Sequence, residues 1–266
     1  MLSVNPFATL AETVSPIYMQ SFVILMLALI VVGTLLDIIH KKNVKYFFEN
    51  AKKAKLSATK TLSAGEKISV ISKTIVSDIA TTSELGAGKR RAAHLLGMYG
   101  TILFWIGSAI MIFCYSSPSS DTPSFWPIIW HVGAIMTVVG GSWFWFFLRV
   151  DVYSEAHPWY RIIKADLFVL GLIASSLFGL IWSCLQSLDL NDRWDDKVFL
   201  VLYIISNFVL FGGVYWSKFA HMFYKPGASI QKNLAEADGS RDNLPPPADA
   251  PEQYGLGIDR EKAKHY

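Results

Sequence analysis

Along this chain, runs of apolar residues about as long as a bilayer crossing alternate with polar connections. Five such runs stand out, at 17–39, 94–115, 126–150, 165–188 and 197–223. Crossing about 30 Å of hydrocarbon takes roughly 20 mainly apolar residues in a helix. Backbone in lipid must satisfy its own hydrogen bonds, so each run is expected to be helical. The expected fold is therefore all-α, an integral membrane five-helix bundle. The last run is longer than a crossing requires and is expected to extend past the membrane. The first run has no Lys or Arg before it and exceeds the apolar core of a signal peptide. It is read as a retained helix.

The polar segments divide the chain further. Residues 1–16 form an N-terminal segment. Residues 17–226 form the transmembrane domain, with the connection 40–93 included. Residues 227–266 form a polar tail with Pro245, Pro246, Pro247 and Pro251 and no apolar periodicity. A segment of that composition does not bury enough surface to fold alone, so it is expected to lie extended on a partner or to stay mobile. Within 40–93, Ile68, Ile71, Ile75 and Ile79 recur at helical spacing among Lys67, Lys73 and Asp78. This predicts an amphipathic helix over 64–80, lying on the membrane surface or docking a soluble partner. There is no internal repeat of the kind that marks many transporters.

Charge orients the runs. Of 24 Lys and Arg, 22 fall in connections on one side of the expected membrane, 12 of them in 40–93. By the positive-inside rule the N-terminus is outside and the C-terminus cytoplasmic, in a multi-pass protein of the cell (cytoplasmic or inner) membrane. Only 17% of residues are charged and 52% are hydrophobic. A soluble domain averages about 25% charged. The net charge of +3 says little about partners, and nucleic acid is not expected among them.

The candidate chemistry lies mainly in histidines, because an ionisable group in a span is a functional hypothesis by default. His94 opens the second run and His221 closes the fifth, at similar depth on the cytoplasmic side. Two imidazoles on facing helices can ligate one haem iron. Gly97, one turn from His94, leaves room for a porphyrin, and Arg90, Arg91 and Lys218 are placed to meet its propionates. The plainer alternative is that each histidine sits at the interface, bonded to headgroups or backbone. His131 lies in the third run without a second histidine at its depth; the neighbouring runs offer Tyr203 and Asn207. It is a packing residue, a quinone contact or a single haem ligand. His157, in the turn EAHPWYR, is an interfacial anchor or lines a quinone pocket. His40 and His265 are expected in solvent.

Other chemistry is thin. No Gly-rich phosphate loop, Ser/His/Asp set or paired span carboxylates occur, so no hydrolase or pump mechanism is indicated. Asp37 and Asp166 lie near helix ends, where a carboxylate can reach water. The nine tryptophans fall near run ends, as in an aromatic belt; Trp130, Trp143 and Trp145 are also placed to line a cofactor. Cys114 and Cys184 are too few for a zinc or iron–sulfur site. A disulfide between them stays open beside the reading of two small apolar residues in helices.

The stretch KRRAAHLLGMYGTILFWIGS around His94 resembles the second helix of the nitrate reductase gamma-subunit superfamily, which includes the membrane subunit of heterodisulfide reductase. YWSKFAHMFYKP around His221 resembles the matching fifth-helix motif. The likeness covers about 17–226. Within the superfamily, the chain looks most like the membrane proteins that accompany adenylylsulfate reductase. It also looks like the membrane subunit of the quinone-interacting oxidoreductase complex, which carries an iron–sulfur domain lacking here. The resemblance implies a cytochrome b-like subunit that exchanges electrons between the quinone pool and a cytoplasmic iron–sulfur and flavin enzyme of dissimilatory sulfur metabolism. Family members typically use two histidines on each of two helices to hold two b-type haems. Here each helix keeps one, which implies a single haem b or none.

The function expected is therefore that of an electron-transfer subunit in an oxidoreductase complex. His94 and His221 are the expected axial ligands. The rivals are a haem-free anchor or assembly protein for the same enzyme, and a small-molecule transporter.

Overall fold

The described residues of the computed structural model are 2–85, 88–149, 158–188, 194–240, 253–254 and 258–259. Nine α-helices lie among them: α1 Pro6–Leu10, α2 Pro16–Lys41, α3 Asn43–Lys55, α4 Ala64–Thr74, α5 Lys89–Cys114, α6 Phe125–Trp143, α7 Leu167–Ser187, α8 Trp194–Gly212 and α9 His221–Ala237. Among the described residues the fold is all-helical apart from a pair of two-residue strands, β1 Gln253–Tyr254 and β2 Ile258–Asp259. Short π-helical turns extend α4 over Ile75–Ala80 and α6 over Phe144–Leu148.

Four stretches are long and apolar enough to cross a membrane: Pro16–Lys41, Lys89–Cys114, Phe125–Leu148 and Lys164–Ser187. They match the first four predicted runs, and they make this a multi-pass membrane protein. The fifth run differs from expectation. It is not one helix through residue 223, because α8 stops at Gly212 and Gly213 begins a turn. Ser217 N–H donates to Gly213 O in that turn. A 3₁₀ turn, Lys218–Ala220, follows before α9. The adjacent glycines weaken the helix, and α8 is left with 19 residues, its first turn carrying Asp195 and Asp196.

The chain divides into two units. The first comprises Met1–Ile39 and Ala92–Ala220, the second His40–Arg91 and His221–Tyr266.

In the first unit, glycine brings α5 and α6 into backbone contact. A Cβ at Gly133 would lie 2.6 Å from Phe104 N, and one at Gly140 would lie 2.5 Å from Gly97 N. Lipid gives helices no hydrophobic reason to associate, so close packing of small residues must do it. Thr101 and Thr137 bond across the same seam at 3.4 Å. α7 lies against α8, where Gly171 faces Leu210 and Gly179 faces Tyr203. Buried aromatic side chains fill one end of the unit: Phe7, Phe104, Trp130, Trp182 and Tyr203.

The N-terminal segment packs into that core. Asn5 caps α1 by accepting from Phe7 N and Ala8 N. Its Nδ2 donates to Tyr115 O (2.9 Å) and Thr122 Oγ1 (3.1 Å). Phe7 is thereby held 5.9 Å from Trp130 and 5.7 Å from Trp182, ring to ring. Trp130, Trp145 and Trp182 are buried, which corrects the belt reading for those three; Trp159, Trp194 and Trp216 are exposed.

The second unit is polar. Ser63 and Glu66 form a reciprocal capping box at the start of α4. The helix α9 runs through Pro226 and on to Ala237. Residues 227–237 are therefore helical, a correction to the expected extended tail. Asp78 supplies the reason. It accepts from Ser77 (2.8 Å), Ser83 (2.7 Å), Ser229 (3.2 Å) and Asn233 (2.7 Å). Asn233 also donates to Thr74 Oγ1 at 2.8 Å. These hydrogen bonds tie α9 to α4 and the turn after it. Those donors hold the Asp78 carboxyl down at about 2, overcoming the upward push of burial. Of the isoleucines expected on one face, Ile68 and Ile75 are exposed, together with Val76.

Candidate functional site

His94 is the sixth residue of α5, and its side chain is exposed. Gly97 lies on the same helix face, three residues on. A Cβ there would meet nothing within 4 Å. The Gly97 backbone, in contrast, is the atom group that Gly140 approaches most closely. The turn carrying His94 is thus braced by α6 behind and open beside Gly97. Lys218 is exposed in its 3₁₀ turn. These three residues belong to the first unit.

Arg90, Arg91 and His221 belong to the second unit. Arg90 is exposed, whereas Arg91 Nε donates to Thr81 O at 2.7 Å. His221 opens α9 rather than closing the fifth span. Its side chain is outside the described groups. His157 and His265 also lie outside the described residues. His40 is exposed. Among the described residues, no three His, Cys, Asp or Glu side chains cluster as metal ligands. Cys114 and Cys184 are free thiols.

His131 is wholly buried with both ring nitrogens engaged. Nδ1 is 2.7 Å from Pro127 O, and Nε2 is 2.8 Å from Ser183 Oγ. A carbonyl only accepts, so Nδ1 carries the proton and Ser183 donates to Nε2. The partner is Ser183 of α7, which the sequence reading does not single out. The Nε2 lone pair is therefore committed to a hydroxyl.

Beside this pair, Trp130 Nε1 donates to Ser108 Oγ at 2.8 Å, and Ser108 donates to Phe104 O at 2.9 Å. The Tyr203 hydroxyl lies within bonding reach of Ser108 and Asn207. A polar thread thus runs through an aromatic core at the end of the unit where α2 begins. Sequence periodicity gives no sign of it, because core-facing and lipid-facing positions are equally apolar.

A second buried constellation was also unforeseen. Asp166 was expected near a helix end in reach of water, yet it is buried, and so is Arg149 beside it. Arg149 Nη2 pairs with Asp166 Oδ2 at 2.5 Å and donates to Arg161 O at 2.6 Å; Nη1 donates to Pro158 O at 3.0 Å. Its guanidinium lies 4.1 Å from the Trp145 ring centre. Asp166 also accepts from Ile163 N at 2.9 Å. The pair clamps the connection between α6 and α7. Asp37 is buried as well.

Compared with known proteins, the chain matches no family model, no curated protein and no solved structure.

Proposed function

We propose that this protein is the membrane subunit of an oxidoreductase complex. It passes electrons between membrane quinone and a peripheral iron–sulfur and flavin enzyme, adenylylsulfate reductase by resemblance. One b-type haem is ligated by His94 and His221, with Arg90, Arg91 and Lys218 meeting its propionates. The observation that carries the reading is the first turn and a half of α5. There an exposed histidine follows three consecutive cations, and the helix face at Gly97 is open to anything placed against it. The resemblance of both histidine motifs to the nitrate reductase gamma-subunit superfamily gives that geometry its redox meaning. When bound, the haem supplies one-electron chemistry, while the chain supplies ligands, counter-charge and orientation. By the positive-inside rule this end of α5 faces the cytoplasm, where the soluble enzyme docks.

The test adds a quinol analogue to the purified protein and follows haem absorbance. Rapid reduction supports the reading. A haem that dithionite reduces but quinol does not would remove quinone from it.

A second reading is favoured by the break after Gly212, which leaves His221 on a helix separate from α8. In that reading the protein is a haem-free anchor for the same enzyme. It predicts a colourless protein that still retains the enzyme on membranes.

A further inference from the structure

A cavity of about 530 Å³ lies within the first unit, beside the aromatic core. Its walls come from α2, α5 and α8, and Phe7, Leu10 and Val14 close it at the end where α2 begins. The size is within the range of about 300–1,000 Å³ usual for small-molecule sites. The lining is hydrocarbon and aromatic except at one place, where Ser108, Tyr203 and Asn207 meet. Several lining residues, including Tyr18, Leu27, Ile106 and Phe113, are also exposed on the outside of the unit. The cavity therefore opens sideways between helices, onto the surface that the apolar spans present to lipid.

What fills such a space follows from its chemistry. Water needs two to four polar partners to be held in a cavity. Here Ser108 already donates to Phe104 O and accepts from Trp130, and Asn207 Nδ2 donates to Tyr203 O at 2.8 Å. Left empty, the walls forfeit their dispersion contacts. The surrounding solvent is hydrocarbon, and the opening faces it. We infer that this cavity is a seat for one long hydrocarbon chain drawn from the bilayer, isoprenoid or acyl. The Ser108–Tyr203–Asn207 cluster is the one polar place in that wall. The inference goes beyond electron transfer and does not depend on haem. Phe104, the first α5 residue of the lining, lies ten residues beyond His94, about 15 Å along the helix.

The test uses the full chain reconstituted in vesicles with one of two photoreactive probes. One is a phosphatidylcholine with a diazirine on its acyl chain; the other is a quinone with a diazirine on its isoprenoid tail. Adducts are mapped by peptide mass spectrometry. The expected result is labelling of Val23, Ala109 and Leu200 that exceeds labelling of the lipid-facing Ile24 and is competed by excess unlabelled lipid of the same class. Ala109→Trp and Val23→Trp fill the cavity from opposite walls. Each should cut labelling roughly tenfold, the effect of about 1.4 kcal/mol of lost affinity. Preferential capture of the quinone probe assigns an isoprenoid chain, and capture of the phospholipid probe an acyl chain. Either supports the seat, and only the first ties it to redox chemistry. Wild-type labelling that does not exceed that of Ile24, or does not saturate, would overturn it. So would unchanged labelling in both variants with native helical content.

Discussion

Replacing Arg149 by Met tests the account of the first unit most severely. The guanidinium is fully buried and meets Asp166, Pro158 O and Arg161 O. Met matches much of its length but none of its charge. The substitution leaves the Asp166 carboxylate buried with, among the described residues, only the Ile163 N–H to satisfy it. Removing one partner of a buried ion pair costs about 3–5 kcal/mol. For a chain of this size that lowers the melting temperature by on the order of 10 °C. The double variant Arg149→Met/Asp166→Leu exchanges that buried charge for an unpaired Ile163 N–H, a cost of about 1–3 kcal/mol, while Pro158 O and Arg161 O lose their donor in the single and the double variant alike. The double variant should therefore be more stable than Arg149→Met alone. Thermal unfolding in detergent, followed by circular dichroism, reads this directly. Trypsin gives a second readout, since Arg161 and Lys164 are exposed in the clamped connection and cleavage there should quicken in the single variant. A cost under about 1 kcal/mol for Arg149→Met, or a double variant as unstable as the two singles summed, would refute the clamp.

Three further outcomes follow from particular contacts. Phe7→Ala should cost about 3–5 kcal/mol, because the ring fills space between two buried tryptophans; a melting temperature within a degree of wild type would show that α1 is not part of the core. Gly140→Ala should cost about 1–3 kcal/mol, because its Cβ meets the Gly97 backbone, which cannot rotate away. Haem content measured in the same variant should fall as well, since α5 must shift near His94. The last concerns pH. Asp78 sits near 2 in the folded state against 3.8 in the unfolded chain. Its contribution, on the order of 1 kcal/mol after solvent screening, is full above pH 4 and drains away as pH falls towards 2. The stability gap between wild type and Asp78→Asn should therefore narrow over that interval, and a constant gap would contradict the network.

The four long spans were legible because hydropathy is local: twenty apolar residues announce themselves without reference to anything distant. The break in the fifth run was not, since FGGVYW stays apolar through the turn and only the paired glycines hint at it. Burial of Trp130 and Trp182 was hidden for another reason. In a membrane helix the face turned to lipid and the face turned to the core are both apolar, so the tryptophans read equally well as a belt. The His131–Ser183 bond depends on the register of α6 against α7, which no pattern within either helix encodes. In the second unit the capping box at Ser63 was visible in principle as Ser-x-x-Glu. The docking of α9 was not, because Asn233 and Ser229 reach Asp78 across 155 and 151 residues of sequence. For the candidate site, the sequence marks His94, Gly97 and the adjoining cations. The structure adds the open face at Gly97 and engages Arg91 with Thr81.

The central claim is that His94 and His221 hold one haem. It is tested most directly by a reduced-minus-oxidised absorption spectrum of the purified protein, with haem quantified per chain, for wild type and for His94→Ala and His221→Ala. The account predicts about one b-type haem per wild-type chain and loss of the signal in both variants. A wild-type protein without haem after expression with ample haem supply would contradict it, as would undiminished haem in both variants.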